Sequence, residues 1–168
     1  MGSPHQSRSL CDLAMANGAL SSAGLAFIAR WEGYRGRLYN DAAGHCTIGY
    51  GHLVHLGRCN GSEPPIFLDG ITNKEGLDLL NRDASKAVRS VNAEVVVPLT
   101  QHKFDALVSF AFNVGPQAFA DSTLLKKVNL GQHKLVPAQM ALWTNHGLPG
   151  LVNRRRAEAK LYVQGDYQ

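Results

Sequence analysis

The chain has 168 residues, 45% of them hydrophobic, which is enough for one domain with a substantial core. Its formal net charge is +4, and the basic residues form no long block; that balance weakly suits an acidic polymer or an anionic surface, but it reads first as solubility, and no nucleic-acid partner is expected. Three cysteines (Cys11, Cys46 and Cys59) are too few for a disulfide scaffold.

The opening MGSPHQSRSLCDLA reads as an appended tail over residues 1–14, with Met15 as a plausible native start and one domain over 15–168. Residues 10–29 contain Asp12, Asn17 and several Ser and Gly, so they are neither a transmembrane span nor a signal peptide. Ser21 and Ser22 offer an N-cap, and Leu25, Ile28, Ala29 and Glu32 share one helical face. A first helix is therefore expected over about 22–32, ended by Gly33 and Gly36. RLYN, HCTIGYG and HLVH are short, β-rich and separated by turn residues, which predicts a small antiparallel sheet.

Residues 60–70 hold Gly, Ser and two prolines and read as a loop. Thr72 and Glu75 have the spacing of a capping box. An apolar stripe from Leu77 to Val91 then predicts one long helix over about 72–92. After Pro98, Thr100 can cap a helix that is apolar nearly all round, FDALVSFAF, stopped by Asn113-Val-Gly-Pro116. Shorter helices are expected at about 122–129, 135–143 and 153–163. The predicted fold class is α+β and mostly helical. A small sheet lobe (about 33–70) and a helical lobe (about 98–168, with the first helix) are joined by the long helix, with a cleft between them.

The stretch WEGYRGRLYNDAAGHCTIGYG carries Glu32 at a helix C-terminus, Asp41 at a strand-to-turn junction and Thr47 in the next strand. The negative end of the helix dipole and partial burial both disfavour the ionised form of Glu32, as a general acid needs. Asp41 is expected to be solvated and ionised, with the Thr47 hydroxyl placed to hold a water beside it. Two carboxyls in unlike environments are the arrangement that cleaves glycosidic bonds.

Glu32-Gly33, Asp41 and Thr47-Ile-Gly-Tyr-Gly-His-Leu53 resemble the phage-type lysozymes, the endolysins of bacteriophages (glycoside hydrolase family 24). LLNRDASKAVRSV, VPLTQHKFDALVSFAFNVG and GLVNRRRAEAKLY extend the resemblance, in order and spacing, over most of the chain from about residue 22. The resemblance implies a muramidase without a cofactor, cleaving the β-1,4 bond between N-acetylmuramic acid and N-acetylglucosamine in bacterial peptidoglycan, generally with inversion. It makes Glu32 the general acid, with Asp41 and Thr47 positioning water, and Gly51, Leu53, Phe112 and Asn113 binding the sugar. It also pairs His52 with Asp83 structurally, and points to Arg154, or a neighbour one position away, as a partner for Glu32. The other two arginines of the run 154–156 then form a solvated basic face. Trp31 stands where some members carry an acidic residue, and packing at the lobe interface is its expected role. The implied protein is a monomer with no membrane anchor. It stays in the host cytoplasm until it reaches the cell wall at lysis.

Three rivals are set beside this reading. His45, Cys46, His52, His55 and Cys59 could ligate zinc, but their spacing fits no standard knuckle, and adjacent strand residues point to opposite faces. Cys46 and Cys59 could instead pair across the hairpin, although free thiols are expected in a reducing cytoplasm. A non-cutting glycan-binding module would have lost the acid or the water-holding pair. A lytic transglycosylase would need neither Asp41 nor Thr47.

Overall fold

The computed structural model describes residues 18–168; the tail assigned to residues 1–14, Cys11 and Met15 lie outside the described residues. The described chain divides into two compact units. The first covers residues 21–86 and the last two residues, and the second covers residues 18–20 and 87–166.

In the first unit, helix α1 (Ser22–Glu32) opens on Ser21, whose hydroxyl accepts the Gly24 N–H at 2.9 Å. Phe27, Ile28 and Ala29 are its buried face, and it ends as expected at Gly33, where φ is +71°. Strands β1 (Arg35–Asn40), β2 (Cys46–Gly49) and β3 (His52–His55) form an antiparallel sheet in the order β1-β2-β3. Thr47 lies opposite Tyr39 on one side and Leu53 on the other. Directly opposed residues share a sheet face, so these three side chains line one surface.

Residues 60–70 are not all loop: Pro65–Leu68 form one short helical turn, α2, with Pro65 at its first position. Helix α3 (Asn73–Asp83) has the expected capping box, with the Thr72 hydroxyl on the Glu75 N–H and the Glu75 carboxylate on the Thr72 N–H. The single long helix expected over 72–92 is interrupted. At Ala84 a ψ of −12° tightens the turn, and α4 (Ser85–Glu94) follows. Neither Gly nor Pro marks that break in the sequence. Helix α1 makes its contacts with α3, so it belongs with the sheet and not with the helical lobe to which the sequence reading assigned it.

The second unit is helical. Helix α5 (Gln101–Val114) is fully buried from Phe104 to Ala111, the central helix that the sequence predicts. Around it lie α6 (Pro116–Ala120), α7 (Thr123–Asn129), a 3₁₀ turn (His133–Leu135), α8 (Val136–Met140) and α9 (Pro149–Gln164). The pair α5 and α9 is the most extensive helix contact. Helix α6 was missing from the sequence reading, which took Gly115-Pro116 only as a stop. Proline at a first helical position also starts a helix.

Among the described residues, no helix is long and apolar enough to cross a membrane.

Candidate active site

Glu32 is the last residue of α1 and is half-buried. The preceding Trp31 packs edge-on against Phe27, with ring centroids 6.4 Å apart. Asp41 follows β1 and organises the β1–β2 turn. Its Oδ1 accepts the N–H groups of Ala43 and His45, each at 2.9 Å. These backbone bonds, that of His45 foremost, hold the Asp41 carboxyl below its ordinary value, so it is ionised near neutral pH. Among the described residues, neither bond uses Oδ2.

Thr47 is 3% exposed. Its hydroxyl donates to the His45 carbonyl oxygen at 3.0 Å, and the Asp41 N–H donates to that same oxygen at 2.9 Å. With its proton committed to His45, the hydroxyl has only acceptor capacity left for a further partner. The Tyr39 phenol, on the Thr47 face of the sheet, senses both acidic residues. Burial raises its value first, Arg35 opposes, and Asp41 and Glu32 add to the rise.

Gly51 sits in the tight β2–β3 turn at φ +80°, where a Cβ would be strained, and it is exposed. Leu53 follows in β3 and is 48% exposed. His52 turns the other way: its Nδ1 lies 2.9 Å from Asp83 Oδ2 and 3.1 Å from Oδ1. The contact ties the sheet to the end of α3.

The cysteines correct the free-thiol expectation: Cys46 and Cys59 form a disulfide. A zinc site built on those thiols is therefore not available, and the histidines are engaged elsewhere. His45 Nδ1 accepts the Gly57 N–H at 3.0 Å, and His55 Nε2 lies 2.9 Å from Glu63 Oε1. Glu63, only 3% exposed, also accepts the N–H groups of Asn60 at 2.7 Å and Gly61 at 2.8 Å. The His55 contact first, then the Asn60 N–H, draw its carboxyl down to about 2 against the effect of burial. Cys59 N–H donates to Asn40 Oδ1 at 2.8 Å, and Cys46 N–H to the Gly57 carbonyl at 2.8 Å. Residues 57–63 thus brace both strands that flank the Asp41 turn.

In the second unit, Phe112 is half-buried and Asn113 exposed at the end of α5. The sequence reading placed two of the three consecutive arginines on a solvated face, and for Arg155 that is incorrect. Arg156 is exposed, but Arg155 is 2% exposed and contacts Glu158 Oε2 and Asn113 Oδ1. Arg154, 4% exposed, donates from Nε to Glu158 Oε1 at 3.1 Å. Glu158 is fully buried, which pushes its carboxyl up against the pull of both arginines. The sequence reading missed Glu63 and Glu158. For Glu158 a signal existed, since it stands at helical i+4 and i+3 spacing from Arg154 and Arg155.

The phage lysozyme family model matches residues 29–158. An endolysin of Acyrthosiphon pisum secondary endosymbiont phage 1 is 37% identical over 150 residues, covering 85% of this chain and 97% of that protein. An endolysin of Bacillus phage PZA is 40% identical over 152 residues, covering 87% of this chain but only 55% of that longer protein. Among solved structures, the endolysin from Escherichia coli O157:H7 phage FAHEc1 superposes with a TM-score of 0.78 at 34% identity, covering 90% of this chain and 97% of that one.

Proposed function

The chain belongs to the phage lysozyme family, and we propose that it is an endolysin-type muramidase with Glu32, Asp41 and Thr47 as its catalytic groups. The substrate is bacterial peptidoglycan, and the bond cleaved is the β-1,4 link between N-acetylmuramic acid and N-acetylglucosamine. Glu32 donates its proton to the departing glycosidic oxygen. A water lies between Asp41 and Thr47, giving one hydrogen bond to Asp41 Oδ2 and the other to Thr47 Oγ1. Its lone pair then faces the anomeric carbon. As that carbon gains positive charge, Asp41 takes the water's proton, and the new C–O bond forms opposite the broken one. Inversion requires room for that water, which corresponds to carboxyls about 6.5–9.5 Å apart.

The observation that supports this reading is the Asp41–Thr47 turn, where an ionised carboxylate held through Oδ1 by the Ala43 and His45 N–H groups and a hydroxyl whose proton goes to the His45 carbonyl both remain acceptors. A depressed carboxyl is a weak base, but an oxocarbenium-like transition state needs little help from its base. A lytic transglycosylase uses a hydroxyl of the sugar itself and has no use for that pair. A binding module has no use for Glu32 beside it. Gly51, Leu53, Phe112 and Asn113 are assigned to the glycan, and His52–Asp83 is structural. The enzyme acts as a monomer, as one catalytic domain over 15–168, and remains in the host cytoplasm until lysis brings it to the wall.

Product analysis after digestion of purified peptidoglycan tests this. Hydrolysis with inversion leaves reducing muramic-acid ends that appear first as the α-anomer. Anhydro-muramic ends would establish a transglycosylase instead, and intact polymer would establish a binding module.

A further inference from the structure

His45 touches the side chains of Asp41 and Thr47 with the two ends of its own backbone. Its N–H donates to Asp41 Oδ1 at 2.9 Å, and its carbonyl oxygen accepts the Thr47 hydroxyl at 3.0 Å. A shift of residue 45 therefore disturbs the carboxylate and the hydroxyl together. The imidazole ties this residue to the bracing loop. Its Nδ1 lies 3.0 Å from the Gly57 backbone nitrogen. A backbone N–H can only donate, so Nδ1 accepts, and the ring is the neutral tautomer with its proton on Nε2. Gly57 is a firm anchor. Its carbonyl accepts the Cys46 N–H at 2.8 Å. Two residues on, Cys59 is joined to Cys46 by the disulfide and donates its N–H to Asn40 Oδ1 at 2.8 Å.

We propose that His45 is a positioning residue for the hydrolysis: its neutral imidazole, by accepting the Gly57 N–H, holds residue 45 where its backbone keeps Asp41 and Thr47 in place around the attacking water, and protonation of the ring releases that hold. The role rests on the muramidase reading and on Asp41 and Thr47 as the water-holding pair. An imidazolium carries an N–H on both nitrogens and has no lone pair, so Nδ1 would then meet the Gly57 N–H donor to donor. The ring must turn away. The Asp41 carboxylate, which already feels the charge on His45, attracts it and is thereby drawn from the water. In the bracing loop, Arg58 is exposed and Glu63 is turned to His55.

The test measures kcat and KM on purified peptidoglycan from about pH 8 down to about pH 5, the range over which imidazoles as a class change charge. Wild type, His45→Ala and His45→Asn are compared, with melting curves on all three. Asparagine places Oδ1 where Nδ1 stands, accepts the same N–H and does not titrate. At about pH 8, kcat of His45→Ala should lie roughly ten- to a hundredfold below wild type with KM within about twofold, as for a displaced reacting group. His45→Asn should stay within about threefold of wild type there. As pH falls to about 5, wild type should converge on His45→Ala, while His45→Asn keeps its lead over both. Wild-type kcat in folded His45→Ala, a His45→Asn variant no more active than His45→Ala, or a wild-type to His45→Asn ratio that does not change with pH would overturn the positioning role alone. That ratio decides should His45→Ala fail to fold. Absence of cleavage by wild type at every pH overturns the muramidase reading, and the role with it.

Discussion

Asp41 and Thr47 are joined through a single atom. The Asp41 N–H at 2.9 Å and the Thr47 hydroxyl at 3.0 Å both donate to the carbonyl oxygen of His45. The Asp41 carboxylate itself is held in the same turn, through Oδ1, by the N–H groups of Ala43 and His45.

Thr47→Val tests that relationship. Valine is nearly isosteric and suits a strand, so the fold and melting temperature should be retained. The acceptor for the water disappears, and kcat on peptidoglycan should fall by about a hundredfold or more. Turnover near wild type would return Thr47 to the role of a strand filler.

The Cys46–Cys59 disulfide spans a sequence separation of 13 and braces the strands that carry Asn40 and Cys46. Closing a loop of that size contributes about 3 kcal/mol, so Cys59→Ser should melt roughly 6–12 °C lower. Wild type in strong reductant should melt with the variant. If neither shifts, the two thiols are free in solution.

Glu63 and His55 give stability a pH window. The Glu63 carboxyl is drawn down to about 2, so its contribution is present above the ordinary value of 4.5 and is lost as pH falls toward 2. His55 is raised from 6.5, by its bond to the Leu56 carbonyl and then by Glu63, so its contribution is present below 6.5 and is lost as pH rises through the raised value. The melting-temperature gap between wild type and Glu63→Gln should thus be widest between pH 4.5 and 6.5 and should narrow on both sides. A gap that stays constant from pH 2 to pH 9 would show that the pair does not titrate as described.

What the sequence made legible was local. Ser21 and Thr72 cap helices through atoms three residues away, and the β1–β2 turn is written in Asp41-Ala-Ala-Gly44. The α5 core could be read because eight consecutive buried residues have no polar face apart from Asp105 and Ser109. The features that escaped depend on distant partners. Arg155 is buried because Trp143, Asn113 and Glu158 converge on it from two helices and a turn, and nothing in Arg-Arg-Arg says which cation turns inward. Glu63 is buried by His55 and two backbone N–H groups, in a stretch whose Gly, Ser and Pro content reads only as loop. The pairing of Cys46 with Cys59 depends on the approach of loop and strand, and the spacing alone left it open.

The central claim is that Glu32 supplies the proton, and Glu32→Gln tests it most directly. Glutamine keeps the shape and much of the hydrogen bonding but cannot donate an acidic proton. Turnover of purified peptidoglycan should be measured beside wild type, with melting curves on both proteins. The expected result is a fall in kcat of about a thousandfold or more, with the melting temperature unchanged or slightly raised. A folded Glu32→Gln variant that turns over peptidoglycan within a few-fold of wild type would contradict the assignment.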